Sequence, residues 1–321
     1  MNSDTIYPIV YPALIAFFIN LILSPILIPF LSRLKFGQFV RDDGPKTHLK
    51  KTGTPTMGGI IILISIVLTS ILFLKDNRDG LVVLLVTIGF GIIGFIDDFI
   101  KVVMKRSLGL RAYQKIIFQL VITIGFSYYV VKIANLGTKA LIPFSGGKEI
   151  DLGIFFIPFL IFAMLGTVNA VNLTDGLDGL ASGVTVLVST FFTMVSWGEN
   201  SGIFPIGAAV VGSLLGFLLF NSHPAKVFMG DTGSLALGGF VVATSFILKM
   251  PFFILVVGLI YVIEAISVIL QVAFFKITHK RIFKMAPIHH HFELSGWTET
   301  KVVSVFCITT AIMCLIGLLG I

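Results

Sequence analysis

Charge is scarce in this chain and cysteine nearly absent. Asp, Glu, Lys and Arg make up only 12% of its 321 residues, against 56% hydrophobic. That balance excludes an ordinary soluble domain and places the chain in a bilayer. The two cysteines, Cys307 and Cys314, both fall in the last apolar run. Neither belongs to a metal-ligand pattern, and seven residues along one helix is too long a reach for a disulfide. They read as small packing residues. Met1–Pro8 has no Lys or Arg and carries Asp4, so the basic start of a secretory signal is missing and the first apolar run reads as a retained span. Long polar stretches are missing too. The largest interruptions are Ser32–Thr56, Asp97–Lys115 and Lys276–Lys301, with no internal repeat and no low-complexity tract. A single membrane domain over residues 1–321 is the simplest organisation. The net charge of +7 has no soluble domain to carry it, which argues against nucleic-acid binding.

What is present is a series of continuous apolar runs. They are Ile9–Leu31, Gly58–Leu74, Leu81–Ile96, Ile116–Val131, Ile154–Val171, Leu180–Trp197, Phe204–Phe220, Leu235–Leu248, Phe252–Phe275 and Val302–Ile321. A span needs about 20 apolar residues, so the shorter runs must borrow from their flanks. The runs do not alternate, which predicts helices and not a barrel. The expected fold is an all-α integral membrane protein of about ten transmembrane helices. Seventeen of the 23 Lys and Arg fall in one set of alternate loops. The positive-inside rule makes that set cytoplasmic and puts both termini outside. The main feature of the opposite side is a hairpin-like segment, Lys139–Leu152, with Ser145-Gly146-Gly147-Lys148 as its turn and a structural cap as its expected role.

The acids cluster as unevenly as the bases. Asp97, Asp98, Asp175, Asp178 and Asp231 each lie at the edge of a long apolar run, on the cytoplasmic side. Carboxylates there are costly unless paired, hydrated or bound to metal. Beside basic loops they point to one composite cytoplasmic site for Mg²⁺ and a phosphorylated substrate. Gly-Phe-Ile-Asp97-Asp98-Phe-Ile-Lys101 is expected to end the third span. Two acids at a negative helix end are unfavourable, and adjacent residues do not share a face, so only one need enter the site. The plain alternative is a solvated helix end with Asp97 paired to Lys101. Asn169-Ala-Val-Asn172-Leu-Thr-Asp175-Gly176-Leu-Asp178-Gly179 joins two spans, and a helical segment would put Asp175 and Asp178 on one face. Helix capping by one of these residues is the plainer reading. Asn221-Ser-His223-Pro-Ala-Lys226-Val-Phe228-Met-Gly230-Asp231-Thr-Gly233-Ser234 opens the eighth span. A Gly-rich helix N-terminus offers N–H groups to an anion, Asp231 is a hard oxygen ligand for Mg²⁺, and Phe228 is an exposed aromatic for base stacking.

Two further segments are polar. Ala286-Pro-Ile-His289-His290-His291-Phe-Glu-Leu-Ser-Gly-Trp297 carries three consecutive histidines, which cannot converge on one zinc. They suit pyrophosphate binding, and one imidazole could donate a proton or a hydrogen bond to a leaving phosphate. The first loop, Lys46-Thr-His-Leu-Lys50-Lys51-Thr-Gly-Thr54-Pro-Thr56-Met-Gly58-Gly59, reads equally as an orientation loop or as part of the site.

With these motifs assembled, the sequence resembles the bacterial phospho-N-acetylmuramoyl-pentapeptide transferases, or translocase I. The aspartate motifs are shared with the wider polyprenyl-phosphate hexosamine-1-phosphate transferases. The triple-His segment through Trp297 resembles the muramoyl-pentapeptide branch. The resemblance runs nearly end to end and implies ten helices, a cytoplasmic cleft, a place in the bacterial cytoplasmic membrane and a homodimer. It implies Mg²⁺-dependent transfer of phospho-N-acetylmuramoyl-pentapeptide from UDP-MurNAc-pentapeptide to undecaprenyl phosphate, itself a membrane lipid, giving lipid I and UMP. By matched motif, Asp231 would hold Mg²⁺, and Asp97 or Asp98 would deprotonate or orient the lipid phosphate, with a covalent aspartyl-phosphate route left open. Lys51, Thr56 and Lys115 would steer phosphates or the nucleoside. Asn172, Asp175, Gly176, Asp178, Asn221, Phe228 and Gly230 would line the uridine and sugar side. His289, His290 and His291 would contact pyrophosphate or sugar, with His290 as a catalytic candidate. Transfer of GlcNAc-1-phosphate to the same lipid is the nearest rival, and the Pro287–Trp297 segment argues against it. A transporter would place polar groups near the midplane, often in repeated halves. Only Glu264, inside the ninth apolar run, favours that reading, and a bend near it could instead open a groove for the lipid tail. A non-catalytic scaffold would not need so many acids on one face.

Overall fold

In a bilayer the backbone must satisfy its own hydrogen bonds within each segment, and these runs do so as helices. The computed structural model describes residues 3–33, 51, 53–74, 77–104 and 109–321. Lys46–Lys50 and Thr52 of the first loop lie outside the described residues, as do Lys105 and Arg106.

The chain runs α1 (Ser3–Arg33), α2 (Gly59–Phe73), α3 (Arg78–Val103) and α4 (Ala112–Tyr128), the last continued by a π-helical turn over Tyr129–Ile133. Strands β1 (Lys139–Leu141) and β2 (Glu149–Asp151) follow, then α5 (Phe156–Thr174), α6 (Leu180–Gly198), α7 (Phe204–Asn221) and α8 (Gly230–Ile247). The short α9 (Ile254–Val257), α10 (Leu259–Thr278), α11 (Ile288–Glu293) and α12 (Glu299–Leu318) complete it. Among the described residues nine helices are long and apolar enough to cross a membrane, and α2, with 15 residues, is a tenth and shorter apolar helix. The chain is therefore a multi-pass membrane protein, as its runs predict. Pro8, Pro12, Pro25 and Pro29 all lie within α1, which nevertheless continues as one helix.

At the centre stands α8. Its sequence, GDTGSLALGGFVVATSFI, is rich in small residues, and every position from Thr232 to Ile247 is buried. Small side chains let neighbouring backbones come close, which drives helix association where lipid removes the hydrophobic incentive. Helices α3 and α5 pack on α8, while α1, α2 and α6 pack around α7. Large apolar side chains such as Ile22, Leu72, Val121, Phe162 and Ile269 remain exposed on the outer faces, where a bilayer would cover them.

Three boundaries differ from the sequence reading. Helix α3 does not stop at its acid pair but continues to Val103, so Asp97 and Asp98 are buried inside it and are no solvated helix end. Helix α8 begins at Gly230, before its apolar run, because its first turn is capped by other parts of the chain. The run Phe252–Phe275 is interrupted at Gly258, six residues before Glu264, and α10 is continuous through Glu264. The expected hairpin is present, with Lys139 opposite Asp151 and Leu141 opposite Glu149. It closes one end of the bundle through Leu141 N–H to Lys249 O (2.8 Å) and Phe144 N–H to Gly320 O (2.9 Å).

Candidate active site

The opposite end of the bundle gathers the polar motifs into two adjoining clusters. The first forms where α3 meets the start of α8. Asp97 and Lys101 are one turn apart on α3, and their side chains approach to 2.5 Å. Asp98 accepts from Asp231 N–H (3.2 Å), Thr232 N–H (2.9 Å) and the Thr232 hydroxyl (2.7 Å). A neighbouring helix thus supplies the cap that satisfies the first N–H groups of α8. Gly230 N–H bonds to Asp175. The helix N-terminus that the sequence offered to a phosphate is therefore filled by the protein's own carboxylates. Gly230 has φ +72°, and a Cβ there would lie 2.6 Å from Asp98 Oδ2 and 2.9 Å from the Thr56 hydroxyl, so both backbone and space require glycine.

Asp231 stands in the middle of this cluster. Its Oδ2 accepts from Lys101 (2.9 Å) and Lys115 (3.0 Å), and its Oδ1 from the Asn172 amide (2.8 Å). Asn172 also donates to the Ser234 hydroxyl at 2.9 Å, so it orients Asp231. Asp97 accepts from Leu110 N–H at 2.7 Å. Carboxylate oxygens of Asp97, Asp98 and Asp231 lie within 4.8 Å of one another and could hold a metal ion. The donor set is all hard oxygen, and its three acids outnumber the two lysines, which suits a divalent cation.

Asp175 and Asp178 are not on one helical face. Asp175 ends α5, and the chain turns before α6, so the two acids serve different clusters. Burial, and then the negative charges of Asp231 and Asp98, push Asp175 well above the ordinary carboxylate range. Asp178 belongs to the second cluster, with Lys51, His223 and Glu299. Lys51 Nζ is 2.7 Å from Asp178 and 2.6 Å from Glu299. His223 Nδ1 is 3.0 Å from Asp178 and 3.3 Å from Glu299. Asp178 also accepts from Ala225 N–H (3.0 Å), and its own N–H donates to Glu299 (2.6 Å). Burial alone would raise the Asp178 carboxyl, but Lys51, Ala225 N–H and His223 outweigh it and hold the group below its ordinary range.

The remaining candidates are placed as follows. Thr56 is buried beside Gly230. Phe228 is half-buried, not exposed. Its backbone pairs with the end of the first loop, N–H to Pro55 O (2.8 Å) and O from Gly58 N–H (2.9 Å). Asn221 is buried with its amide committed to Val227 O (2.9 Å) and the Ser182 hydroxyl (2.8 Å), which makes it a brace for the α7–α8 loop. The three histidines diverge. His289 is buried against Glu264 (3.0 Å), His290 pairs with Glu293 (2.9 Å), and His291 accepts from Lys284 N–H (3.1 Å). Trp297 stacks on Phe292 and lies under Lys301, anchoring the start of α12.

The chain carrying these clusters is similar to known proteins. The profile of glycosyl transferase family 4 covers residues 80–249, which span α3 to α8 and so the whole first cluster. A phospho-N-acetylmuramoyl-pentapeptide-transferase of Clostridium kluyveri is 55% identical over 316 residues, covering 98% of this chain and 99% of that protein. One from Caldicellulosiruptor bescii is 54% identical over 319 residues (99% and 98%), and one from Clostridioides difficile 53% over 313 residues (97% and 97%). The chain belongs to the phospho-N-acetylmuramoyl-pentapeptide-transferase family. Within this family member, five residues of the clusters escaped the sequence reading: Lys101, His223, Thr232, Ser234 and Glu299. Lys101 was legible only as the i,i+4 partner of Asp97. His223, Thr232 and Ser234 lie inside a quoted motif, but no local spacing distinguishes them. Glu299 is 248 residues from Lys51 and carries no local signal.

Proposed function

We propose that this chain transfers phospho-N-acetylmuramoyl-pentapeptide from UDP-MurNAc-pentapeptide to undecaprenyl phosphate, giving lipid I and UMP. The observation that carries the reading is the convergence of Asp97, Asp98 and Asp231 with Lys101 and Lys115 at the start of α8. The site opens to the cytoplasm, with both termini outside, in line with the bias of Lys and Arg. The enzyme acts as a homodimer, as its family resemblance implies.

An oxygen of the lipid phosphate forms the new bond to the β-phosphorus. The bond from that phosphorus to the bridging oxygen breaks, and UMP departs. Two anions must meet, so charge neutralisation and positioning dominate the barrier. Lys101 and Lys115 share one oxygen of Asp231 and can turn to incoming phosphates without leaving the site. Asp97 is the member of the acid pair suited to orient the lipid phosphate or take its proton, because one of its oxygens is held by the Lys101 ammonium, which can turn to a phosphate, whereas both oxygens of Asp98 are committed to the first turn of α8. Asp231, with Asp97 and Asp98 beside it, would hold Mg²⁺. The ion would supply charge stabilisation on the diphosphate. Asn172 keeps Asp231 oriented. Lys51, Asp178 and the backbone around Phe228 form the adjoining wall for the nucleoside and sugar. His290 and His291 would contact the diphosphate or sugar, as the family resemblance implies.

The test is UMP release by purified protein in detergent with undecaprenyl phosphate and Mg²⁺, offering UDP-MurNAc-pentapeptide and UDP-GlcNAc in parallel. Release from the muramoyl nucleotide alone, dependent on lipid and metal, is the expected result. Release from UDP-GlcNAc alone would keep the chemistry and overturn the substrate.

A further inference from the structure

Glu264 lies inside a lipid-spanning helix and belongs to neither ionic cluster. It is fully buried on α10, as is His289 on α11, and Glu264 Oε2 is 3.0 Å from His289 Nδ1. The other two polar atoms of the pair, Glu264 Oε1 and His289 Nε2, have no hydrogen-bond partner among the described residues. An acid in a membrane span is retained for a reason, and an apolar pair of similar volume would fill the same contact at lower cost. The pair therefore provides orientation that packing alone would not.

The geometry shows which orientation. A carboxylate at Nδ1 draws the imidazole proton to that nitrogen and leaves the lone pair of Nε2 on the far edge. That edge lies against Gly176, where a Cβ would come within 2.2 Å of Nε2 and 2.6 Å of Cε1. Gly176 stands between Asp175, which bonds the start of α8, and Asp178, which holds Lys51. The ring of His290 is 4.1 Å from that of His289 between centroids, so the same anchor fixes its neighbour. A further tie keeps this segment on α10: Gln271 accepts from Ile282 N–H (3.1 Å) and Phe283 N–H (2.9 Å).

We propose that Glu264 is a positioning residue for the transfer reaction: it fixes His289 with its proton on Nδ1 and thereby holds the Asp175–Asp178 turn in the arrangement that receives the sugar nucleotide. This rests on the reaction proposed above, and its test has one arm that does not. In that arm, ¹⁵N NMR of histidine-labelled protein, with His289 assigned by the His289→Asn variant, reads the tautomer. The wild type should carry the proton on Nδ1, and Glu264→Gln should mix or reverse the tautomers. A wild-type His289 protonated on Nε2 alone overturns the inference whatever the reaction.

The second arm is a double-mutant cycle on UMP release. Glu264→Gln and His289→Ala should each lower kcat/KM by about 10- to 100-fold, the range of partners that orient a histidine, chiefly through KM for the nucleotide. The double variant should match His289→Ala within about twofold. A full, independent loss from Glu264→Gln in the His289→Ala background would make Glu264 merely structural. Wild-type protein that releases UMP from neither donor would count against the reaction, and the tautomer would then decide the role of Glu264.

Discussion

The two ionic clusters are both built from carboxylates and lysines, and they distribute their ammonium groups differently. Each brings three acidic or histidine ligand atoms within 4.8 Å. In the cluster of Asp178, His223 and Glu299, the Lys51 ammonium already sits between the two carboxylates, at 2.7 and 2.6 Å, where a cation would bind. In the cluster of Asp97, Asp98 and Asp231, Lys101 likewise bridges Asp97 (2.5 Å) and Asp231 (2.9 Å), and Lys115 joins it on Asp231. Asp98, however, is held among the described residues by the N–H and O–H donors of the first turn of α8 and not by an ammonium group. Composition alone therefore does not make a metal site. In the second cluster each carboxylate has Lys51 as a partner, which makes it a clamp that joins the first loop, the α5–α6 turn, the α7–α8 loop and the start of α12. In the first, the third carboxylate is left without an ammonium partner among the described residues.

Breaking the first cluster should have the largest effect. Asp231→Asn is expected to lower turnover by about 10³-fold while the protein still folds, because charge stabilisation at the reacting phosphate is lost. UMP release beside a thermal unfolding curve checks it, and wild-type turnover would remove Asp231 from the centre. Next comes the metal itself. Mg²⁺ at about 100 times its dissociation constant should stabilise wild type and Glu299→Gln by about 2.7 kcal/mol, and Asp231→Asn hardly at all. An equal shift in all three proteins would place the ion elsewhere. Breaking the clamp should cost less. Glu299→Gln takes from Lys51 one of its two charged partners, and about 2 kcal/mol of stability with it. It should raise KM for the nucleotide without abolishing turnover.

The smallest effects are in the pH dependence, where the clusters should differ in sign. Asp175 is raised, so the fold favours its protonated form. The stability it contributes is full below the ordinary carboxylate range and falls as pH rises through its folded value. In chelator, Asp175→Asn should thus unfold no earlier than wild type at about pH 8, with any gain fading toward about pH 4. Asp178 is lowered, so its contribution is present above the ordinary range and fades as pH falls through the depressed value. Asp178→Asn should be less stable than wild type at neutral pH and approach it in acid. Parallel melting curves across pH check both signs.

Legibility varied with the reach of the interactions. The hairpin and all ten apolar helices could be read locally, because hydropathy and turn residues act within a segment. The acid motifs could be read as a site because carboxylates beside lipid demand partners. Apart from Lys101, one turn from Asp97, the partners themselves could not. That Asp98 caps α8 and that Asn221 braces a loop carry no local signal, whatever role each has in the site. The three adjacent histidines form one motif in sequence and meet three different partners in the fold. Glu264 was the residue that favoured a transporter, and its burial against His289 ties it instead to the loop beside the site.

The sequence by itself determined the membrane class, the order of the apolar helices, and which polar motifs would share one end of the bundle. Hydropathy over some 20 residues and the charge of alternate loops suffice for that. Only the tertiary structure decided that Asp175 and Asp178 serve different clusters, that Lys51 is held by Glu299, and that the first turn of α8 is closed by carboxylates of its own chain. These are contacts between residues far apart in the sequence, up to the 248 that separate Lys51 from Glu299, and no periodicity encodes them. The closure of the first turn of α8 exists because its small residues let α3 and α5 pack on it closely enough for Asp98 and Asp175 to reach it.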